Sequence, residues 1–313
     1  MNYPFFSIII PTFNQCNLLK KALQSVFKQN FKSYEIIVID NHSTDNTYKV
    51  IKSFKKKIIY SKIKNFGSIG KSRNIGIKKS HGKWLAFLDS DDTWSDNKLQ
   101  KIYKIINNNK AQVICHAEWI LRNDKIKKLL TYGPYQKNFY QLLLKNGNRL
   151  STSATTIEKN FLYKKKVFFD EQKKFITAED YSFFMNLARN GANFYFTNEP
   201  LGYHLFHKKS NSHNLRRHLN SIEEVIKNHI FNIQDFSENK KLLWLQIKNF
   251  LDFKNSIFNL KNISKVKQSK DIISFLIKRP FFTINQINNL LLKKTKDCLL
   301  YIFYKLKFLI FFS

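Results

Sequence analysis

The segment WLAFLDSDDTWSD, residues 84–96, joins an apolar run directly to four carboxylates. Its first five residues have the length and composition of a buried strand. Asp89, Asp91 and Asp92 follow that strand at once. Carboxylates this close repel one another unless a cation lies among them, and Mg²⁺ or Mn²⁺ suits such oxygen ligands. The alternative is a solvated turn, in which Asp91 or Asp92 caps a helix that begins near Trp94.

Apolar runs alternate with helical patterns on either side of this segment. Strands are predicted at Phe6–Ile10, Glu35–Ile39, Ile58–Ser61, Val113–Trp119, Thr152–Ile157 and Phe194–Thr197, and helices at Leu18–Phe27, from Ser43 through Phe54, after Gly70 and near Glu179–Asn190. The alternation indicates an α/β fold with a Rossmann-like, mostly parallel central sheet flanked by helices. In such sheets, ligands bind at the carboxyl ends of the strands.

The composition divides the chain into two predicted regions. Residues 1–218 form the α/β domain, and residues 219–313 form a basic, aromatic-rich helical C-terminal region. The formal charge is +32, from 54 basic and 22 acidic residues, and only seven of the basic residues are Arg. Nucleic-acid readers favour Arg, so we expect no nucleic-acid partner. AT-rich coding combined with surface solvation is an alternative source of this charge.

The chain contains no disulfide framework and no predicted membrane span. Its three cysteines, Cys16, Cys115 and Cys298, are far apart, which favours a reducing compartment and a cytoplasmic protein. No run of about 18 uncharged apolar residues occurs. The C-terminal region carries a charge of +9 beside apolar residues, so we expect it either to dock on the cytoplasmic face of an anionic membrane or to cap the α/β domain.

Two further features predict a site for a nucleotide diphosphate. Asp40 ends an apolar strand, the position that reads ribose or base in open α/β sheets. The stretch from Asn65 to Gly76 brings glycines and then Lys71 and Arg73 at the start of a helix, which suits a diphosphate. Its spacing is not that of a P-loop.

These blocks together resemble the family 2 glycosyltransferases, which have the GT-A fold. The matching blocks, in chain order, are SIIIPTFN (7–14), EIIVIDNHSTDNT (35–47), KSRNIGIKKSHGKWLAFLDSDDTW (71–94), TAEDY (177–181) and YHLFHKKS (203–210). They cover about two-thirds of the chain.

The resemblance implies a role for each matching residue. The residues expected to hold the nucleotide sugar are Pro11, Thr12, Phe13, Asn14, Asp40, Asn65, Lys71, Arg73, Asp89 and Asp91. Those expected to hold the metal are Asp91, Asp92 and His207. Asp180 matches the catalytic base, and Glu179 beside it would help to place the acceptor.

The sequence departs from the family pattern at two places. Asn41 and His42 stand where the family usually has a second Asp and a Gly, so base recognition is expected to differ. His204 replaces the usual Arg after Tyr203, which weakens the case for a fixed cation there. Neither departure is expected to involve Asp92 or Asp180.

The resemblance implies a metal-dependent, inverting hexosyltransferase of cell-surface polysaccharide synthesis. The donor would be a nucleotide sugar, first of all a UDP-sugar, and the acceptor a hydroxyl of a glycan or lipid-linked molecule. One base and one in-line displacement suffice for inversion. Without the family context, Asp180 reads as a helix-capping residue. The alternative is a non-catalytic GT-A-like protein that binds sugar nucleotides, or a basic protein that binds polyanions.

Overall fold

The computed structural model describes residues 3–54, 58–123, 125–206, 215–233 and 239–260. Its strands are β1 Phe6–Thr12, β2 Tyr34–Asp40, β3 Ile59–Lys62, β4 Trp84–Phe87, β5 Thr93–Trp94, β6 Val113–Arg122, β7 Lys125–Leu130, β8 Thr155–Glu158 and β9 Phe194–Leu205. Its helices are α1 Cys16–Phe27, α2 Thr47–Ser53, α3 Ile69–Lys79, α4 Lys98–Asn108, α5 Phe139–Asn146, α6 Lys159–Lys165, α7 Glu179–Arg189, α8 Leu215–Asn228 and α9 Lys240–Leu260. A 3-10 turn at Lys173–Phe175 precedes α7.

The strands form one sheet in the order β3-β2-β1-β4-β8-β6-β9-β5, with β7 paired to β6. The first four strands in this order are parallel to one another. β8 runs antiparallel to both β4 and β6, whereas β6 and β9 are parallel. The predicted α/β fold is confirmed, and antiparallel pairing is concentrated in the half of the sheet beyond β4.

Helices cover the parallel half of the sheet on both faces. Ile8 and Ile10 of β1 belong to the main hydrophobic core, together with the buried side of α1. Ile9 points the other way, against Gly76 of α3. A Cβ at Gly76 would lie 2.4 Å from Ile9 Cγ2, so only glycine lets the helix approach this closely. Burial on both faces explains why β1, β2 and β4 carry apolar runs.

Two predicted helix starts are wrong. The helix after the acidic group begins at Lys98, and Thr93–Trp94 is a short strand, so neither Asp91 nor Asp92 caps it. The helix predicted from Ser43 begins at Thr47, and Ser43 Oγ, the atom that would have capped the predicted helix, accepts from the Asn14 N–H instead. In both cases the residues before the helix form a turn, and the side chain expected to cap the helix accepts a hydrogen bond from another part of the chain.

The chain divides into two compact units, the first ending at Ile226 and the second beginning at Lys227. The described part of the second unit is helical, with a π-helical turn at His229–Ile233 followed by α9. The apolar stretches at 284–292 and 299–312 lie outside the described residues. Among the helices that the structure describes, none is long and apolar enough to cross a membrane.

Candidate active site

The carboxyl ends of three adjacent strands bring the predicted residues to one edge of the sheet. Thr12 at the end of β1 is in register with Asp40 at the end of β2. β4 lies on the other side of β1, and Asp89 follows it two residues later. Residues far apart in the sequence therefore meet because parallel strands end at the same edge.

The loop after β1 is locked to the loop after β2. Asn14, which has a φ of +48°, donates from its N–H to Ser43 Oγ at 2.9 Å and accepts from the Thr44 N–H at 2.8 Å. Phe13 projects into solvent beside these bonds, while Pro11 is buried within β1. These bonds hold the loop in place, and the exposed ring of Phe13 lies beside the carboxyl edge of the sheet.

Asp40 is buried and already makes two hydrogen bonds within the protein. Its Oδ1 accepts from the Ser43 N–H at 2.9 Å, and its Oδ2 accepts from the Tyr60 hydroxyl at 2.8 Å. Burial and the Asp40 carboxylate raise the pKa of Tyr60. Asp40 therefore fixes the loop after β2, and its predicted contact with ribose or base would add to these bonds.

The predicted diphosphate segment forms a turn and the first turns of α3. The side chain of Asn65 bonds the Gly67 N–H and Ser72 Oγ, and Ser68 caps the helix by accepting from the Lys71 N–H. The Lys71 ammonium lies 5.2 Å from the centre of the exposed Phe66 ring. Phe66 was not among the site residues predicted from the sequence. The available signal was an aromatic residue directly before a glycine, Gly67.

Arg73 lies beneath this surface as the cation of a carboxylate cluster. Its guanidinium donates to Asp89 Oδ1 at 2.6 Å, and the side chains are 5% and 32% exposed respectively. Burial acts to lower the pKa of Arg73, but Asp89, Glu179 and Asp180 raise it above its ordinary value. Arg73, predicted to lie near the diphosphate, is thus held between the acidic turn and α7.

Glu179 and Asp180 open α7 beside Arg73. Glu179 is 4% exposed, and its Oε2 is buried without a hydrogen-bond partner among the described residues. Burial raises the pKa of Asp180, against the opposing effects of Arg73 and the Tyr181 N–H. Asp180 also accepts a bond from Asn148 Nδ2 at 3.2 Å. A carboxylate with a raised pKa in a polar cluster is suited to taking up a proton.

A strained turn places Asp180. Thr177 has a φ of +83°, which is rare for a β-branched residue. Its carbonyl accepts from His218 Nδ1 at 2.9 Å, and the carbonyl of Ile176 accepts from Ser221 Oγ at 2.6 Å. The sequence did not single out His218 or Ser221, because each meets this turn only through the tertiary fold.

Asp92 pairs with the histidine that replaces the family's usual arginine. Asp92 is 2% exposed, and its Oδ1 accepts from the Leu205 N–H at 3.0 Å and lies 3.2 Å from His204 Nδ1. The hydrogen bond with Asp92 raises the pKa of His204 to about 10. His204 is therefore a cation at neutral pH. The expectation that the departure at position 204 does not involve Asp92 is wrong.

The described carboxylates fit a divalent ion in part. No group of three or more His, Cys, Asp or Glu side chains that could hold a metal occurs in the described ranges, and His207 lies outside them. Asp92 is committed to His204 and Leu205. Asp89 pairs with Arg73 through Oδ1, and within the described part of the chain its Oδ2 accepts a long bond of 3.4 Å from Thr152; Asp91 is half-buried. Mg²⁺ is commonly held by one or two protein carboxylates together with phosphate oxygens of the substrate. Asp89 and Asp91 could supply those carboxylates.

The family model of Glycosyl transferase family 2 matches residues 7–170, more than half of the chain. The chain belongs to this family. It is 30% identical over 207 residues to an uncharacterized glycosyltransferase of Rickettsia prowazekii, covering 63% of each protein. The chain thus spans less than two-thirds of that relative's length.

Two relatives with named activities match shorter parts of the chain. Poly(ribitol-phosphate) beta-N-acetylglucosaminyltransferase TarP of Staphylococcus aureus is 39% identical over 113 residues, covering 34% of this chain and 35% of TarP. UDP-Glc:alpha-D-GlcNAc-diphosphoundecaprenol beta-1,3-glucosyltransferase WfgD of Escherichia coli is 34% identical over 142 residues, covering 45% and 55%.

Solved structures show the same GT-A fold. S. aureus TarS 1–349 in complex with UDP-GlcNAc matches with a TM-score of 0.63 and 20% identity, over 87% of this chain and 79% of that one. The mannosyltransferase PcManGT of Pyrobaculum calidifontis matches with a TM-score of 0.56 and 14% identity, over 96% and 81%. At these identities the matches establish the fold.

Proposed function

We propose that this protein is an inverting glycosyltransferase that moves a sugar from a nucleotide sugar, first of all a UDP-sugar, to a hydroxyl of a glycan or lipid-linked acceptor. The observation that carries the proposal is the cluster of Asp89, Arg73 and Asp180 at the carboxyl edge of the parallel strands. The printed names of TarP and WfgD support a cell-envelope glycan as product, and the TarS complex supports a UDP-sugar donor.

In this proposal Asp180 is the general base. The acceptor hydroxyl oxygen attacks the anomeric carbon, its proton passes to Asp180, and the bond from that carbon to the nucleoside diphosphate breaks. Asn148 orients the carboxylate through its 3.2 Å bond, and Glu179 stands next to it to contact the acceptor. A single displacement inverts the anomeric configuration.

The departing diphosphate gathers negative charge, which nearby cations stabilise. Lys71 and the His204 imidazolium lie near this edge, and neither belongs to the Arg73 cluster; His204 is paired with Asp92. A bound Mg²⁺ or Mn²⁺, held by Asp89 and Asp91, would supply further charge neutralisation at the diphosphate.

A donor screen tests the proposal. Purified protein is incubated with UDP-, GDP- and dTDP-sugars, with Mg²⁺ or Mn²⁺ and with EDTA, and nucleotide release is measured. We expect release with one donor, a loss of 10²- to 10⁴-fold in Asp180→Asn, and a change of less than twofold in the exposed control Asp96→Asn.

Each negative result removes a different part of the proposal. Full turnover of Asp180→Asn would remove the assignment of the base, and full turnover in EDTA would remove the metal. Binding of a nucleotide sugar without any turnover would favour the non-catalytic alternative. The membrane-docking hypothesis for the C-terminal region concerns mainly residues outside the described ranges and stays a prediction for vesicle flotation.

A further inference from the structure

A basic cavity lies beside the turn that leads into α7. Its volume is about 430 Å³, and it opens between the 3-10 turn at Lys173–Phe175 and α8. Four cations line it, namely Lys173, Lys174, Arg216 and Arg217, against one carboxylate, Glu224. Asn220 and Ser221 complete the lining with neutral hydrogen-bonding groups.

The charge of this cavity suits a phosphate group. The planar fork of Arg binds phosphate oxygens in pairs, and Lys adds point charges around them. Arg is scarce in this chain, with seven residues among 54 basic ones, yet two adjacent arginines face this cavity. Because all four cations are exposed to solvent, they pay little desolvation cost before binding an anion.

The cavity shares its wall with the segment that carries Asp180. Ser221 lines the cavity and binds the Ile176 carbonyl, and its helix neighbour His218 binds the Thr177 carbonyl. The charge of His218 also acts on Asp180, lowering its pKa against the effect of burial. None of the residues that line the cavity belongs to the predicted donor site.

We propose that this cavity binds a phosphate group of the acceptor, which would therefore be a phosphate-bearing glycan or lipid. The inference rests on the proposed function, in which Asp180 takes the proton of the acceptor hydroxyl. A phosphate held by α8 and the 3-10 turn anchors the acceptor on the side of α7 where that proton leaves.

Lysine footprinting tests the binding directly. The full chain is acetylated briefly and labelling is read by mass spectrometry, with a glycerol-phosphate oligomer or a short-chain prenyl diphosphate as probe. We expect one of the two probes to slow labelling of Lys173 and Lys174 at least threefold, without protecting the exposed pair Lys20 and Lys21 on α1. Protection by the glycerol-phosphate oligomer would indicate a polymer phosphodiester as the ligand, and protection by the prenyl diphosphate would indicate a lipid diphosphate.

Two further probes can overturn the inference. Equal protection by a uronic acid oligosaccharide would show a site for any anion, and protection by single-stranded RNA alone would assign the cavity to nucleic acid. Absence of protection by both phosphate probes would also refute it.

Variants then measure the contribution of the arginines. Arg216→Gln/Arg217→Gln should raise the dissociation constant of the protecting probe at least tenfold, whereas Lys20→Gln/Lys21→Gln should change it less than twofold. Arg216→Lys/Arg217→Lys keeps the charge and should recover part of the affinity. Thermal unfolding shows whether each variant is folded, and an unchanged affinity in the folded Gln variant would contradict the inference.

Kinetics separate this inference from the proposed function. Nucleotide release by the wild-type chain without acceptor tests the donor reaction alone. With a phosphate-bearing acceptor, the Gln variant should show an acceptor KM at least tenfold higher and little change in kcat. Absence of donor turnover in wild type both with and without that acceptor defeats the proposed function and leaves the footprint to decide on the cavity. An unchanged acceptor KM refutes the proposed phosphate site and leaves the proposed glycosyltransferase function standing.

Discussion

Replacing Arg73 by Gln tests whether one buried cation holds the site together. The guanidinium is almost fully buried, and its charge balances Asp89, Glu179 and Asp180. Removing one partner of a buried ion pair costs about 3–5 kcal/mol. Because Asp89 is 32% exposed and water can solvate it in part, we expect the lower end, about 3 kcal/mol.

The loss of stability in Arg73→Gln should depend on pH, and the carboxylates around Arg73 set the direction of this dependence. Arg73 opposes the burial that raises the pKa of Glu179 and Asp180. Without it, both pKa values rise further above those of the unfolded chain, so the folded variant binds protons that the unfolded chain does not. Its stability deficit should therefore be largest at pH 7.5 and should shrink as the pH falls towards 5.

Urea denaturation of wild type and variant at pH 7.5, 6 and 5 measures the deficit. Arg189→Gln, at an exposed position of α7, serves as the control and should stay within about 0.5 kcal/mol of wild type. Adding Glu179→Gln to the Arg73 variant should recover at least about 1 kcal/mol, because a buried charge without a partner is removed. A deficit below about 1 kcal/mol, or one that is constant with pH, would refute the reasoning.

Three further substitutions test the packing and electrostatics around the site. Gly76→Ala should destabilise the fold by about 1–3 kcal/mol in urea, because its Cβ would collide with Ile9; an unchanged midpoint would contradict this. Thr177→Gly should stabilise it by about 1 kcal/mol, since glycine tolerates the φ of +83°, and a lower melting temperature would show that the turn is not strained. His116 is buried with its pKa lowered to about 3 by burial and by Lys98, so unfolding takes up a proton between about pH 3 and 6.5. Wild-type stability should rise with pH in this window, and His116→Asn should lower that slope by about 1.4 kcal/mol per pH unit; parallel pH curves would exclude a neutral His116.

The strands and the acidic turn could be predicted because their signals are local. β1, β2 and β4 each carry an apolar run, Ile8–Ile10, Ile36–Ile39 and Trp84–Phe87, and burial on both faces favours such runs. The short strand β5 and the lysine-rich β7 were missed. β5 has two residues and β7 is almost wholly exposed, so neither carries an apolar pattern.

The state of the site residues depended on partners far away in the chain. Arg73 pairs with Asp89 and contacts Thr152, 79 residues on, so it lies under the site rather than on its surface. His204 lies against Asp92, 112 residues earlier, and this contact makes it a cation. Neither pairing can be recognised from the spacing of residues along the sequence.

The sequence by itself determined the family, the order of the elements and the edge of the sheet where the acidic residues gather. The family follows from the resemblance of the five motif blocks, the order of the predicted elements from apolar periodicity, and the edge from the rule that parallel strands end together. Only the tertiary structure decided which carboxylate is paired and which titrates, and that a basic cavity adjoins the turn before Asp180. Burial and charge distance set these properties, and both are defined only once the chain has folded.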